Sequence, residues 1–163
     1  MPRTVIFGNS GSGKSTFAKA QAARRGCPHL DLDTIAWLPD VTPPTRRPID
    51  DSRADLLAFT DADDDWVIEG CYADLLELAL PHATEVVYLN PGTATCIDNA
   101  RRRPWEPHKY PTPEQQNANL PMLIEWIKAY DHRTDEFSAH AHRQLYDDYP
   151  GPKREFHSND HNT

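Results

Sequence analysis

Short apolar runs alternate along this chain with longer stretches of helical composition. Thr4 to Phe7 (TVIF) is β-branched and apolar, the pattern of a buried strand. Lys14 to Arg25 has helical composition and stops at Gly26, a residue suited to close a helix. Further strands are expected at His29–Leu32, Trp66–Gly70 and Glu85–Asn90, and an edge strand at Lys153–His157. Helices are expected over Asp51–Thr60, Ala73–Leu80 and Thr93–Arg103, the last ended by Pro104. Thr112-Pro113-Glu114-Gln115 has the form of a capping box, opening a helix that Pro121 restarts and that runs to about His132. Phe137, Ala141 and Leu145 recur at helical spacing and mark a last helix over Thr134–Asp148. The proline-rich stretches Leu38–Pro48 and Trp105–Pro113 read as loops. Strands alternating with helices in this way predict an α/β fold, a parallel sheet with helices on both faces. In such a fold ligands bind at the carboxyl ends of the strands.

At the end of the first expected strand stands Gly8-Asn9-Ser10-Gly11-Ser12-Gly13-Lys14-Ser15, followed by Thr16. It fits the pattern GxxxxGK[ST] at every position, which chance would place in roughly one of every couple of hundred chains of this length. The glycines let successive backbone N–H groups turn inward and admit a polyphosphate. The helix that follows offers its positive end to the same anion. Lys14 can reach the β- and γ-phosphates, and the Ser15 hydroxyl can complete a Mg²⁺ shell. The expected strand before it and helix after it are the context this motif requires. Residues Gly8 to Thr16 therefore point to a nucleoside triphosphate, with ATP and Mg²⁺ as the expected cofactors.

Composition narrows the setting. With 163 residues the chain fits one domain, with a lid region at about residues 101–125, and can bury a core. Hydrophobic residues make up 38% and mean hydropathy is -0.73, which suits a polar globular protein. No apolar run approaches a membrane span, and the N-terminus has no signal-peptide pattern, so a cytoplasmic protein is expected. The three cysteines, an odd number without a CxxC pair, argue against a disulfide framework. Of the eight histidines only His140 and His142 lie close together, without ligand spacing to a cysteine or carboxylate, so surface histidines are the better account. A formal net charge of -8 disfavours general nucleic-acid binding. The acid is uneven: Asp50 to Trp66 carries seven aspartates against one arginine, whereas Arg101, Arg102 and Arg103 form a basic run.

Four further features lie at expected strand ends or on late helices. Alternation puts Asp31 and Asp33 on one side after the second strand, where one carboxylate can take a proton from an acceptor hydroxyl and its neighbour can reach Mg²⁺. Either could instead cap the next segment. Trp37 is a candidate apolar wall for a substrate, or simple core packing. Glu69 and Gly70 end the third strand facing the same cleft, Gly70 leaving room for a substrate against the backbone; Glu69 could equally be a cap. Arginines on a lid stabilise the charge that gathers on a transferring phosphoryl group, and one or two of Arg101–Arg103 are expected to do so, the alternative being a solvated helix end. Arg133 and Arg143 fit either an adenine-side role or the surface.

The P-loop, HLDLDTIAW, WVIEGCY and ATEVVYLNPGTATCIDNARRR, in that order, resemble the small P-loop kinases. Within them the chain is most similar to the adenylate-kinase-related proteins labelled DNA topology modulation (FlaR-type), over about residues 3–103. That resemblance implies a nucleoside monophosphate kinase fold, a three-layer α/β/α P-loop NTPase with strand order 2-3-1-4-5, and ATP–Mg²⁺ as phosphoryl donor. It places Asp33 where the shikimate- and gluconate-kinase types use a carboxylate on the acceptor. Asn90 stands where such proteins often carry an aspartate, which leaves Mg²⁺ to Ser15 with Asp31 or Asp33. The expected function is phosphoryl transfer from ATP to a small-molecule or nucleotide acceptor, by a monomer or homodimer. A nucleotide-binding regulator with little chemistry and a nucleic-acid end kinase or ATPase are the competing readings.

Overall fold

In the computed structural model, which describes residues 1–161, the expected runs form one five-stranded parallel sheet. Its strands are β1 (Arg3–Gly8), β2 (His29–Asp31), β3 (Trp66–Gly70), β4 (Glu85–Leu89) and β5 (Lys153–Phe156), arranged β2-β3-β1-β4-β5. Between them run α1 (Lys14–Arg25), α2 (Asp33–Ala36), α3 (Ile49–Ala62), α4 (Ala73–Ala79), α5 (Thr93–Arg102), α6 (Pro113–Lys128) and α7 (Ala139–Asp148). Helices cover both faces, the three-layer arrangement expected for strands this apolar. No helix among the described residues is long and apolar enough to cross a membrane.

Alternation along the central strands sorts two cores. Val5, Phe7, Trp66, Ile68, Val86 and Tyr88 pack with Leu56 of α3, Leu75 and Leu76 of α4 and Leu145 of α7. Ile6, Val67, Val87 and Leu89 face the other way, onto Phe17, Ala18 and Ala22 of α1. A third cluster, Cys96, Ala100 and Ile127, joins α5 to α6. Register sets the functional level of the sheet. Phe7 pairs with Gly70 and Gly8 with Leu89, so the glycine loop, the end of β3 and the end of β4 leave the sheet side by side.

Three elements differ from expectation. The last long helix begins at Ala139, not Thr134, because the Asp135 carboxylate accepts from Phe137 N and the Glu136 carbonyl accepts from Ala73 N. Ser138 then caps α7 by accepting from Ala141 N at 3.0 Å. Helix α6 runs on through Pro121, held to α5 by Leu120, Leu123 and Ile127. The short helix α2 fills the turn after β2. Its start is set by Asp31 Oδ1, which accepts from Asp33 N at 2.9 Å.

Candidate functional site

The glycine loop lies flush against its neighbours. A Cβ on Gly8 would collide with the Leu89 carbonyl oxygen, and one on Gly11 with that of Cys96. Gly11 and Gly13 adopt φ of 78° and 93°, a region that side chains rarely enter. Gly13 caps α1 without a side-chain bond, leaving the amides of the first turn and the positive helix end open to an anion. Lys14 Nζ donates to the Asn9 carbonyl at 2.7 Å. Asn9, 5% exposed, donates its side-chain amide to the Ile127 carbonyl at 3.2 Å and so anchors the loop to α6. That bond commits one side-chain N–H of Asn9 to the fold, while its main chain stays in the loop. Ser10 is half-buried, Thr16 is exposed, and the Ser12 hydroxyl is buried without a hydrogen-bond partner among the described residues.

Ser15 meets an acid, and it is not one of the two aspartates expected there. Its hydroxyl donates to Glu69 Oε1 at 3.0 Å, and His29 Nε2 donates to Glu69 Oε2 at 3.0 Å. Glu69 is 2% exposed and ends β3, the strand beside β1 on the side away from β4. Asn90 belongs elsewhere: its side chain donates to Glu155 Oε2 at 3.2 Å, and Arg143 clasps the same carboxylate at 2.8 and 2.6 Å. Arg143 is thereby committed to β5. Among the described residues no three histidine, cysteine, aspartate or glutamate side chains form a group able to hold a metal ion alone. A divalent ion here would share its shell among the Ser15 hydroxyl, a carboxylate and phosphate oxygens.

Asp31 and Asp33 divide the roles open to them. Asp31 holds the start of α2, and burial, followed by the charges of Asp33 and Glu69, pushes its carboxyl up to about 6. Asp33 is turned to other partners: Oδ1 accepts from the Tyr72 hydroxyl and Oδ2 lies 3.3 Å from Lys109 Nζ. Trp37 Nε1 donates to the same Tyr72 hydroxyl at 2.8 Å, so the tryptophan orients Tyr72. Burial, then the charge of Asp33, raises Tyr72 and keeps it a proton donor. The open approach expected at Gly70 is filled by Leu32, whose Cβ lies 2.8 Å from where a Gly70 Cβ would stand.

Among the described residues none of the three arginines has an ion pair with Asp33, whose cationic partner is Lys109. Arg101 and Arg102 are exposed in the last turn of α5. Arg103, extended before Pro104, is held by Glu106 Oε1 at 3.2 Å. The cation at Asp33 is Lys109, from the loop between α5 and α6. Arg133 stacks 3.4 Å over the Trp126 ring. Sequence reasoning passed over Lys109, Tyr72 and His29. Tyr72 follows the quoted EGC and His29 shares the alternation of Asp31, signals that were present; nothing local distinguishes Lys109 from an ordinary loop lysine.

Solved structures share this architecture. A shikimate kinase from Bacteroides thetaiotaomicron matches 99% of this chain and 89% of its own at 17% identity, with a TM-score of 0.56. A sugar kinase from Janibacter sp. HTCC2649 matches 96% of this chain and 84% of its own at 14% identity, with a TM-score of 0.52. The fold is that of the P-loop kinases. TT1252 from Thermus thermophilus is similar as well, at 13% identity over 95% of this chain and 88% of its own, with a TM-score of 0.51. No protein-family model matches the sequence, and no curated protein matches it.

Proposed function

We propose that this P-loop protein transfers the γ-phosphate of ATP to a hydroxyl or phosphate group of a small-molecule or nucleotide acceptor. The observation that carries the reading is the Lys14–Ser15–Glu69 unit: a complete glycine loop whose hydroxyl already rests on a buried acid. Lys14 and the loop amides would hold the β- and γ-phosphates. Mg²⁺ would be held by Ser15, with Glu69 or Asp31 behind it, and would neutralise charge on the phosphates. Asp33, oriented by Tyr72, would receive the proton of a hydroxyl acceptor as its oxygen bonds to the γ-phosphorus and the β–γ bridging oxygen leaves with ADP. Trp37 and Tyr72 would shape the acceptor side, and an arginine of the 101–103 run would act from the lid if the loop moves. The kinship with FlaR-type proteins, a cytoplasmic setting and a monomeric or homodimeric state belong to the same proposal.

The test is transfer of label from γ-³²P-ATP with Mg²⁺ to a panel of sugars, hydroxy acids, polyols, nucleosides and nucleotides. Label should reach a subset of these, and Asp33→Asn should slow that transfer by about 10²–10⁴-fold if the acceptor is a hydroxyl. Tight ATP binding with no transfer to any compound would favour a regulatory nucleotide binder instead.

A further inference from the structure

The carboxylate that would receive the proton is engaged on both oxygens, and the two partners are held very differently. Tyr72 is 3% exposed, its hydroxyl tied to Trp37 and its ring against Phe137 with centroids 5.3 Å apart. Lys109 comes from a surface loop, and its side chain is 32% exposed. That loop has a defined shape of its own. Lys109 N and Tyr110 N both donate to the Glu106 carbonyl at 3.0 Å, and Glu106 N donates to Gln116 Oε1 at 2.8 Å. Trp105 Nε1 donates to the Tyr110 carbonyl at 3.0 Å, and Asn119 donates to the Tyr110 hydroxyl at 2.7 Å. The lysine is thus aimed at Asp33 by an ordered frame.

The ammonium also has a second berth. Lys109 Nζ bridges two carboxylates at once: Asp33 Oδ2 lies 3.3 Å from it and Glu106 Oε2, on its own loop, 3.4 Å. Burial alone would lower the Lys109 pKa, but Asp33, Glu106 and Asp31 outweigh it and the group is raised, so the ammonium is charged between the two carboxylates. An ammonium displaced from Asp33 would still have Glu106 as a carboxylate partner.

We propose that Lys109 is a stopper on Asp33: its ion pair occupies the proton-accepting oxygen until an acceptor displaces it, Glu106 retaining the ammonium, which keeps water from serving as acceptor. The inference rests on the phosphotransfer reading above. In the suppressed side reaction a water oxygen bonds to the γ-phosphorus, the bond to the β–γ bridging oxygen breaks to release ADP, and the water proton passes to Asp33. Lys109 acts through Asp33 and is a positioning residue.

The experiment measures phosphate release from Mg·ATP with no added acceptor. Lys109→Met should raise the rate by about fivefold or more, within the ~10²–10⁴ that a positioned base supplies. Lys109→Arg should stay near the unmodified protein, and adding Asp33→Asn to Lys109→Met should remove the gain. Retention by Lys109→Arg and loss of the gain with Asp33→Asn separate this effect from a loop merely loosened by the substitution. Unchanged or slower release in Lys109→Met, or a gain that survives Asp33→Asn, overturns the stopper. Absence of ATP binding by the unmodified protein in calorimetry would instead remove the phosphotransfer reading, and the stopper with it.

Discussion

Asp31, Asp33 and Glu69 meet at the carboxyl ends of β2 and β3, and each carries its charge on different terms. Glu69 has Ser15 and His29 as donors, and Asp33 has Tyr72 and Lys109. Asp31 is desolvated by burial and has one main-chain amide against two acidic neighbours, which is why its carboxyl rises to about 6. A carboxyl raised in the folded state binds protons more tightly there than in the unfolded chain, so stability falls as pH climbs through roughly 4 to 6. Asp31→Asn keeps the oxygen that accepts from Asp33 N and removes the charge. Its thermal unfolding should lose that slope and, above pH 6, its melting temperature should rise by about 2–4 °C, the shift for about 1 kcal/mol in a domain of this size. A lower melting temperature at pH 7 would show that the ionised form is favoured after all.

At the scale of elements, a buried chain of hydrogen bonds holds the turn that carries Tyr72. Tyr88 of β4 bonds Tyr130 hydroxyl to hydroxyl at 2.8 Å, Tyr130 donates to His142 Nδ1 at 2.7 Å, and His142 Nε2 donates to the Cys71 carbonyl at 2.8 Å. Burial brings His142 down to about 4, so it is neutral and suited to accept and donate at once. His142→Phe leaves the Cys71 carbonyl unpaired in the interior, at a cost of about 1–3 kcal/mol, and calorimetry should show a melting temperature lower by at least roughly 2–4 °C. Full retention of stability would mean that the chain is dispensable. This device was invisible in the sequence, where His142 read as one surface histidine among eight. The strands and the glycine loop were legible because each is announced by a local run. The Ser15–Glu69 and Lys109–Asp33 contacts join residues 54 and 76 positions apart. Only the placement of β3 beside β1, and of the α5–α6 loop over β2's end, brings them together. Asp33 could be singled out as a carboxylate after a strand, but its partners could not.

For the whole molecule, the strand order places the start of α1, the end of β3 and the start of α2 at one end of the sheet, while β4 and β5 extend the sheet on the far side. The formal charge of -8 surrounds a loop built for an anion, so local main-chain dipoles, together with Lys14, must outweigh the long-range field for a triphosphate to bind. Calorimetric titration of the unmodified protein and of Lys14→Ala with Mg·ATP tests this most directly. The unmodified protein should bind one nucleotide, and Lys14→Ala should bind it about 10- to 100-fold more weakly with its fold intact, the loss of one charge-assisted bond of about 1.5–3 kcal/mol. No uptake of ATP or GTP at millimolar concentration, or equal affinity in both proteins, would contradict the account.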